Sequence, residues 1–145
     1  MITYVEGNLL HAPVDIMVHG CNCFNTMKSG IAKQIARRYP MAAQVDSETI
    51  KGSRDKLGTF THVKYADIVV VNAYTQYDYG RDGKERFNYI AFRHVLKKLN
   101  SISPHNDPTI GFPKIGAGLA GGDWDQIERI IEEELKDYKV YVYTM

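Results

Sequence analysis

Apolar positions recur along this chain with two different periods. Met1 to Glu6 (MITYVE) is a short β-prone opening, broken by Gly7-Asn8-Leu9-Leu10 and then by Ala12-Pro13. Ile16 to Cys21 (IMVHGC) reads as a buried strand running into a polar, turn-rich stretch that reaches Gly30. From Ile31 to Tyr39 the apolar residues Ile31, Ala32, Ile35 and Ala36 follow helical spacing. Pro40 closes that helix or opens a new one, and Ala42 to Lys51 is a further helix candidate. Gly58 to Val63 alternates as a strand does, and Ile68 to Ala73 (IVVVNA) is a continuous β-branched run, the mark of a strand covered on both faces. Phe87 to Leu99 places Phe87, Ile90, Ala91, Val95, Leu96 and Leu99 on one broad helical face. Thr109 to Pro113 predicts a short strand. A helix capped by Asp123 or a neighbour runs to about Leu135, with Ile127, Ile130, Ile131 and Leu135 on one side. Val140 to Met145 (VYVYTM) closes the pattern as a strand.

Strands that alternate with helices predict an α/β fold, a three-layer α/β/α sandwich on a mixed, mostly parallel sheet. The chain has 145 residues, without internal repeat, low-complexity segment or linker. A single domain over 1–145 is expected.

Composition narrows the function. There are 18 basic and 17 acidic side chains with no basic cluster, which argues against non-specific binding to duplex DNA. A small phosphate-bearing ligand stays open, because backbone amides hold phosphates without net charge. Cys21 and Cys23 are too close for an unstrained disulfide, and the pair supplies too few ligands for zinc. They are expected as reduced thiols of a cytoplasmic protein. No signal peptide opens the sequence, and no apolar run approaches the roughly 20 residues that span a bilayer; no membrane association is expected.

Two segments carry candidate chemistry. In each, a β-run ends, small residues follow and a helix begins. The first is Lys28-Ser29-Gly30-Ile31-Ala32. The second, Ile115-Gly116-Ala117-Gly118-Leu119 and on to Gly122, holds four glycines in the seven residues from Gly116, far above the usual share of about 7%. Ligands of open α/β sheets bind beyond the carboxyl ends of the strands. Helix starts there offer unpaired N–H groups and partial positive charge, and small residues let a phosphate reach them. The spacing is neither a P-loop, GxxxxGK(S/T), nor a GxGxxG dinucleotide fingerprint. There is no GxSxG or HExxH, and His11, His62, His94 and His105 lack metal-ligand spacing.

His19 and Asn22 stand where the second strand meets its loop. His19 is a candidate general acid or base, with a core histidine satisfied by backbone as the alternative. Asn22 can both donate to and accept from a ribose hydroxyl. Asp123 is read as a helix cap and also kept as a candidate catalytic carboxylate. Asn72 reads as a strand-end residue, and the Gln76-Tyr77-Asp78-Tyr79 stretch as a loop able to cover a ligand. Glu132-Glu133-Glu134 reads as a solvated helix face.

Taken in order, Ile2-Thr3-Tyr4-Val5 with Gly7-Asn8-Leu9, Val18-His19-Gly20-Cys21-Asn22-Cys23, Gly30-Ile31-Ala32 with Arg38-Tyr39-Pro40, Phe112 to Leu119, Trp124 and the ending Val142 to Met145 form a recognisable series. The chain resembles a macro domain, in the branch of ADP-ribose-1″-phosphate phosphatases and terminal ADP-ribose glycohydrolases. The resemblance implies a three-layer fold that binds ADP-ribose. Asn8 and Leu9 would meet the adenine, with Asn8 where many members have Asp. Ser29, Gly30, Ile31 and Ala32, with Ile115, Gly116, Ala117, Gly118 and Leu119, would wrap the diphosphate. Asn22 would face the distal ribose, and the Met145 backbone would close the adenine end. A histidine in the VHGCNC position is tied to activity in the phosphatase branch. The glycohydrolase branch uses a lysine after the central strand and an aspartate after the second glycine loop, where this chain has Thr75-Gln76-Tyr77 and Leu119-Ala120. The implied activity is hydrolysis of ADP-ribose-1″-phosphate to ADP-ribose and phosphate by a monomer without metal or cofactor. Removal of ADP-ribose from protein or nucleic acid, and binding without turnover, are the alternatives. The expected partners are ADP-ribose, its 1″-phosphate and ADP-ribosylated macromolecules.

Overall fold

The structure is a computed structural model that describes residues 2–80, 82, 84–118 and 120–144. Six strands form one sheet: β1 (Ile2–Glu6), β2 (Ile16–Cys21), β3 (Phe60–Lys64), β4 (Val69–Tyr74), β5 (Thr109–Phe112) and β6 (Lys139–Thr144). Four helices complete the fold: α1 (Gly30–Arg38), α2 (Pro40–Ser47), α3 (Tyr89–Lys98) and α4 (Trp124–Glu134). The strand order is β1-β6-β5-β2-β4-β3. Every pairing is parallel except β3 with β4, so the sheet is mixed and mostly parallel, as the sequence predicts.

Strand alternation divides the core into two halves. Ile16 and Val18 of β2 and Val69, Val71 and Ala73 of β4 join Phe92 and Val95 of α3 and Ile127 and Ile131 of α4. Met17 and Cys21, with Val70 and Tyr74, face Ile35 of α1 and Ala42 of α2. All six residues of β4 are buried, which is why its sequence is apolar without alternation. Pro40 stands in the first turn of α2. A proline there has no helical N–H to lose and cannot continue α1. No helix among the described residues is long and apolar enough to cross a membrane.

Connectivity creates the crevice. The chain leaves β2 toward α1, on one face of the sheet, and leaves the adjacent parallel strand β5 toward α4, on the other. Neighbouring strands whose connections part in opposite directions leave a gap beyond their carboxyl ends.

Candidate functional site at the carboxyl ends of β2, β4 and β5

The first wall is the loop after β2. Asn22 shapes it: its Oδ1 accepts the Phe24 amide at 2.8 Å and its Nδ2 donates to Thr26 Oγ1 at 2.7 Å. Asn25 is left-handed, with φ 59°. The ammonium of Lys56, only 7% exposed, holds this turn by donating to Asn25 Oδ1 at 2.6 Å and to the Cys23 carbonyl at 2.9 Å. Lys28, Ser29 and Gly30 then lead into α1. Ser29 is the N-cap by position but makes no side-chain cap. The first backbone bond of the helix comes from Lys33 to the Ser29 carbonyl, so the amides of Gly30, Ile31 and Ala32 are left free by helix geometry.

The second wall is the loop after β5. Gly122 N donates to the Gly116 carbonyl at 2.7 Å and Gly121 N to the Gly118 carbonyl at 3.0 Å, which curls the loop on itself. The amides of Gly116 and Gly118 have no partner among the described residues. Gly116 has φ 76° and would put a Cβ 2.3 Å from the Phe87 ring, whereas a Cβ at Gly118 would meet open space. The first glycine is therefore required by conformation and packing, and the second leaves room.

Thr75, Gln76, Tyr79 and Gly80, after β4, close the third side. Arg86 fixes this stretch by ion pairs to Asp78 at 3.0 Å and Asp82 at 2.6 Å. Its amide donates to the Ala120 carbonyl at 2.6 Å, tying the stretch to the second wall. Between the walls is a cleft of about 390 Å³, within the usual range for a small-molecule site.

Of the candidate residues, Asn22, Ser29, Gly30, Ile31, Ala32, Ile115, Gly116 and Gly118 line this one cleft. Ala117 belongs to the same loop but does not line it. Leu119 and Met145 lie outside the described residues. Asn8 and Leu9 are not among its lining residues. Asn8 Oδ1 accepts the Leu10 amide at 3.0 Å as cap of a short 3-10 turn, Leu9–His11, and Leu9 is a core side chain at 3% exposure.

Two catalytic candidates, His19 and Asp123, lie outside the cleft lining. His19 is fully buried on the α2 face of the sheet and does not line the cleft. Its Nε2 is 2.6 Å from Asn72 Oδ1, and Asn72 Nδ2 donates to the Ala42 carbonyl and to Thr61 Oγ1. Burial lowers its pKa to about 4, so it is neutral near pH 7. In this conformation its ring has no exposed surface. Asp123 is an exposed N-cap: one carboxylate oxygen accepts the Asp125 amide at 3.0 Å, and the residue is absent from the cleft wall.

Sequence reasoning passed over Thr26, Thr75, Pro113 and Lys114 as lining residues. The Asn22/Thr26 spacing and the position of Pro113 and Lys114 directly after β5 were the available signals. Thr75 gave none. It is fully buried, its hydroxyl has no partner among the described residues, and it lies 2.9 Å from where a Gly20 Cβ would stand. Burial pushes the Cys21 thiol well up, with Asp46 adding to the effect, so it is no nucleophile at neutral pH. Among the described residues, no three His, Cys, Asp or Glu side chains are grouped to hold a metal.

An α/β/α sandwich with two glycine loops facing one cleft defines a class, and comparison with known proteins gives the class its family. The chain matches the Macro domain family over residues 18–131 and belongs to it. It is 34% identical to an uncharacterised 17.5 kDa protein of Enterobacteria phage T4, over 91% of this chain and 88% of that one. It is 26% identical to the ADP-ribose 1″-phosphate phosphatase of Saccharomyces cerevisiae, over 99% and 98% of the two chains. With the DNA ADP-ribosyl glycohydrolase of Mycobacterium tuberculosis it shares 28% identity over 99% of this chain but 42% of that protein. A solved Bacteroides thetaiotaomicron protein of unknown function superposes with a TM-score of 0.88 at 27% identity, covering 100% and 98% of the chains.

Proposed function

We propose that this macro domain binds ADP-ribose and hydrolyses ADP-ribose-1″-phosphate to ADP-ribose and phosphate. The observation that carries the reading is the cleft itself. Free amides from the start of α1 and from Gly116 and Gly118 face one space, and no carboxylate or imidazole lines it among the described residues. A pyrophosphate suits such a donor set. Asn22 keeps a second N–H and a second lone pair beyond its bonds to Thr26 and Phe24, and these would meet the distal ribose.

The same lining favours phosphoryl transfer over glycoside cleavage. Phosphoryl transfer asks mainly for positioning and electrostatic stabilisation, whereas hydrolysis at a sugar's anomeric carbon is ordinarily run by a pair of carboxyl groups. Water attacks phosphorus, the bond from phosphorus to the 1″ oxygen breaks, and that oxygen leaves with a proton as the hydroxyl of ADP-ribose. The yeast phosphatase, matched along nearly its whole length, supports this reading. The stretches Thr75-Gln76-Tyr77 and Leu119-Ala120, where the resemblance would require a lysine and an aspartate for the glycohydrolase reaction, support it also.

Calorimetry with ADP-ribose, and phosphate release from ADP-ribose-1″-phosphate, test the two halves. Gly118→Glu is the informative variant, since a side chain there meets open space and its charge enters the pyrophosphate path. It is expected to bind ADP-ribose at least about 100-fold more weakly with an unchanged melting temperature. Absence of phosphate release by wild type, beside release of ADP-ribose from modified DNA or protein, would replace the phosphatase reading by the de-ADP-ribosylating one.

A further inference from the structure

The charge of the cleft is one-sided. Lys28 enters from the first wall and Lys114 from the second, with no acidic side chain between them among the described residues. The nearby acids are all engaged elsewhere. Asp78 and Asp82 hold Arg86, Asp46 accepts the Tyr74 hydroxyl at 2.7 Å beneath the sheet, and Asp123 caps α4. Neither lysine has an ion-pair partner among the described residues. Lys114 is placed by the Trp124 ring, its Nζ 5.9 Å from the centroid. Lys28 is exposed and lies two residues beyond Thr26, whose hydroxyl takes the Asn22 amide. It stands between that Asn22/Thr26 pair and Ser29, where the side of the first wall given to the distal ribose meets the start of α1. The free amides already serve a pyrophosphate, so a flexible cation beside them is left for a further anion.

We propose that Lys28 is a specificity-determining residue that reads a third phosphoryl group, the one on the terminal ribose, so that the cleft prefers ADP-ribose-1″-phosphate to ADP-ribose. The inference rests on the binding reading above and adds what that reading does not contain, a way for substrate and product to differ. A phosphate monoester carries nearly two negative charges at neutral pH. Its removal takes away the group that Lys28 holds and favours departure of the product. An exposed pair of this kind is screened by salt, so the preference shrinks as ionic strength rises.

The test is calorimetry of wild type, Lys28→Gln, Lys28→Arg and Lys114→Gln. The probes are ADP-ribose and its slowly hydrolysed 1″-phosphorothioate, each at low and high salt. Wild type is expected to bind the thiophosphate probe about tenfold more tightly at low salt and to lose most of that margin at high salt. Lys28→Gln should erase the margin, Lys28→Arg should retain it, and Lys114→Gln should weaken both probes alike. A margin that survives Lys28→Gln overturns the proposal, as does an equal loss of both probes, which would assign Lys28 to the pyrophosphate. Failure of wild type to bind ADP-ribose overturns the underlying reading and this one with it. ADP-ribose binding without a charge margin overturns this one alone.

Discussion

Helices α1 and α4 begin the same way in sequence and end up with opposite uses. Each follows a parallel strand and a run of small residues, and each has a good capping residue at its N-cap position, Ser29 and Asp123. Asp123 turns its carboxylate back onto the Asp125 amide, so the start of α4 is closed by its own chain. Ser29 makes no such bond, and the start of α1 opens on the cleft. A helix start can spend its free amides on itself or leave them for a ligand, and a capping side chain engaged in the first task is not available for chemistry. The strands that carry the two loops differ as well. β2 holds a buried histidine behind its loop, whereas β5 (TIGF) contains no ionisable side chain.

That last difference gives the largest expected effect. The histidine of the unfolded chain takes up its proton near pH 6.5, and folded His19 does so only at about 4. Between those values the unfolded chain binds more protons, so stability is complete above the window and falls as pH drops through it, by on the order of 3 kcal/mol. Urea melts from pH 7 to 4 would measure this. Hydrogen exchange at pH 5 should show the segment after β2 loosening before the segment after β5. Equal loosening of both would remove the distinction between the two strands.

The next effect lies within the second wall. Gly116→Ala combines a left-handed backbone with a clash on Phe87 and should cost about 2–3 kcal/mol. Gly118→Ala should change stability by less than about 0.5 kcal/mol. Denaturant midpoints of the two variants give the comparison directly, and a similar cost for both would mean that the ring of Phe87 yields.

Ser29→Asp makes the start of α1 resemble that of α4. A carboxylate there competes with a bound anion for the same amides, at up to about 2 kcal/mol, or roughly 30-fold in ADP-ribose affinity, while the melting temperature rises. Tighter binding would show that the α1 amides do not face the ligand. The smallest effect is that of Asp123→Ala, which should lose about 1 kcal/mol of stability, as cap removals do, and leave phosphate release untouched. A large loss of activity in a folded Asp123→Ala protein would restore the catalytic assignment.

Much of this was legible in the residues. The unbroken run Ile68 to Ala73 matches the buried strand β4, Val69–Tyr74, to within one residue at each end, and the spacing of Ile127, Ile130 and Ile131 set the inner side of α4. The glycine density of the second loop pointed to the cleft. What could not be read depends on which helix covers which strand face. His19 shares its strand face with Met17 and Cys21, and only the placement of α2 over that face, with Ala42 receiving Asn72, makes it a core residue. Asn8 was expected at the adenine from the family resemblance alone, and its capping of the 3-10 turn after it was not read from the sequence. Thr75 entered the cleft through the register of β4 beside β2, which no local pattern encodes.

Lys56 has a longer reach than its own neighbourhood. It lies 33 residues from Cys23 and 31 from Asn25, in the connection that precedes β3, and one ammonium fastens both. The outline of the loop after β2 is thus written partly in a segment outside the cleft lining. Sequence drift around that rivet can reshape what the protein accepts while every residue on the cleft wall stays the same.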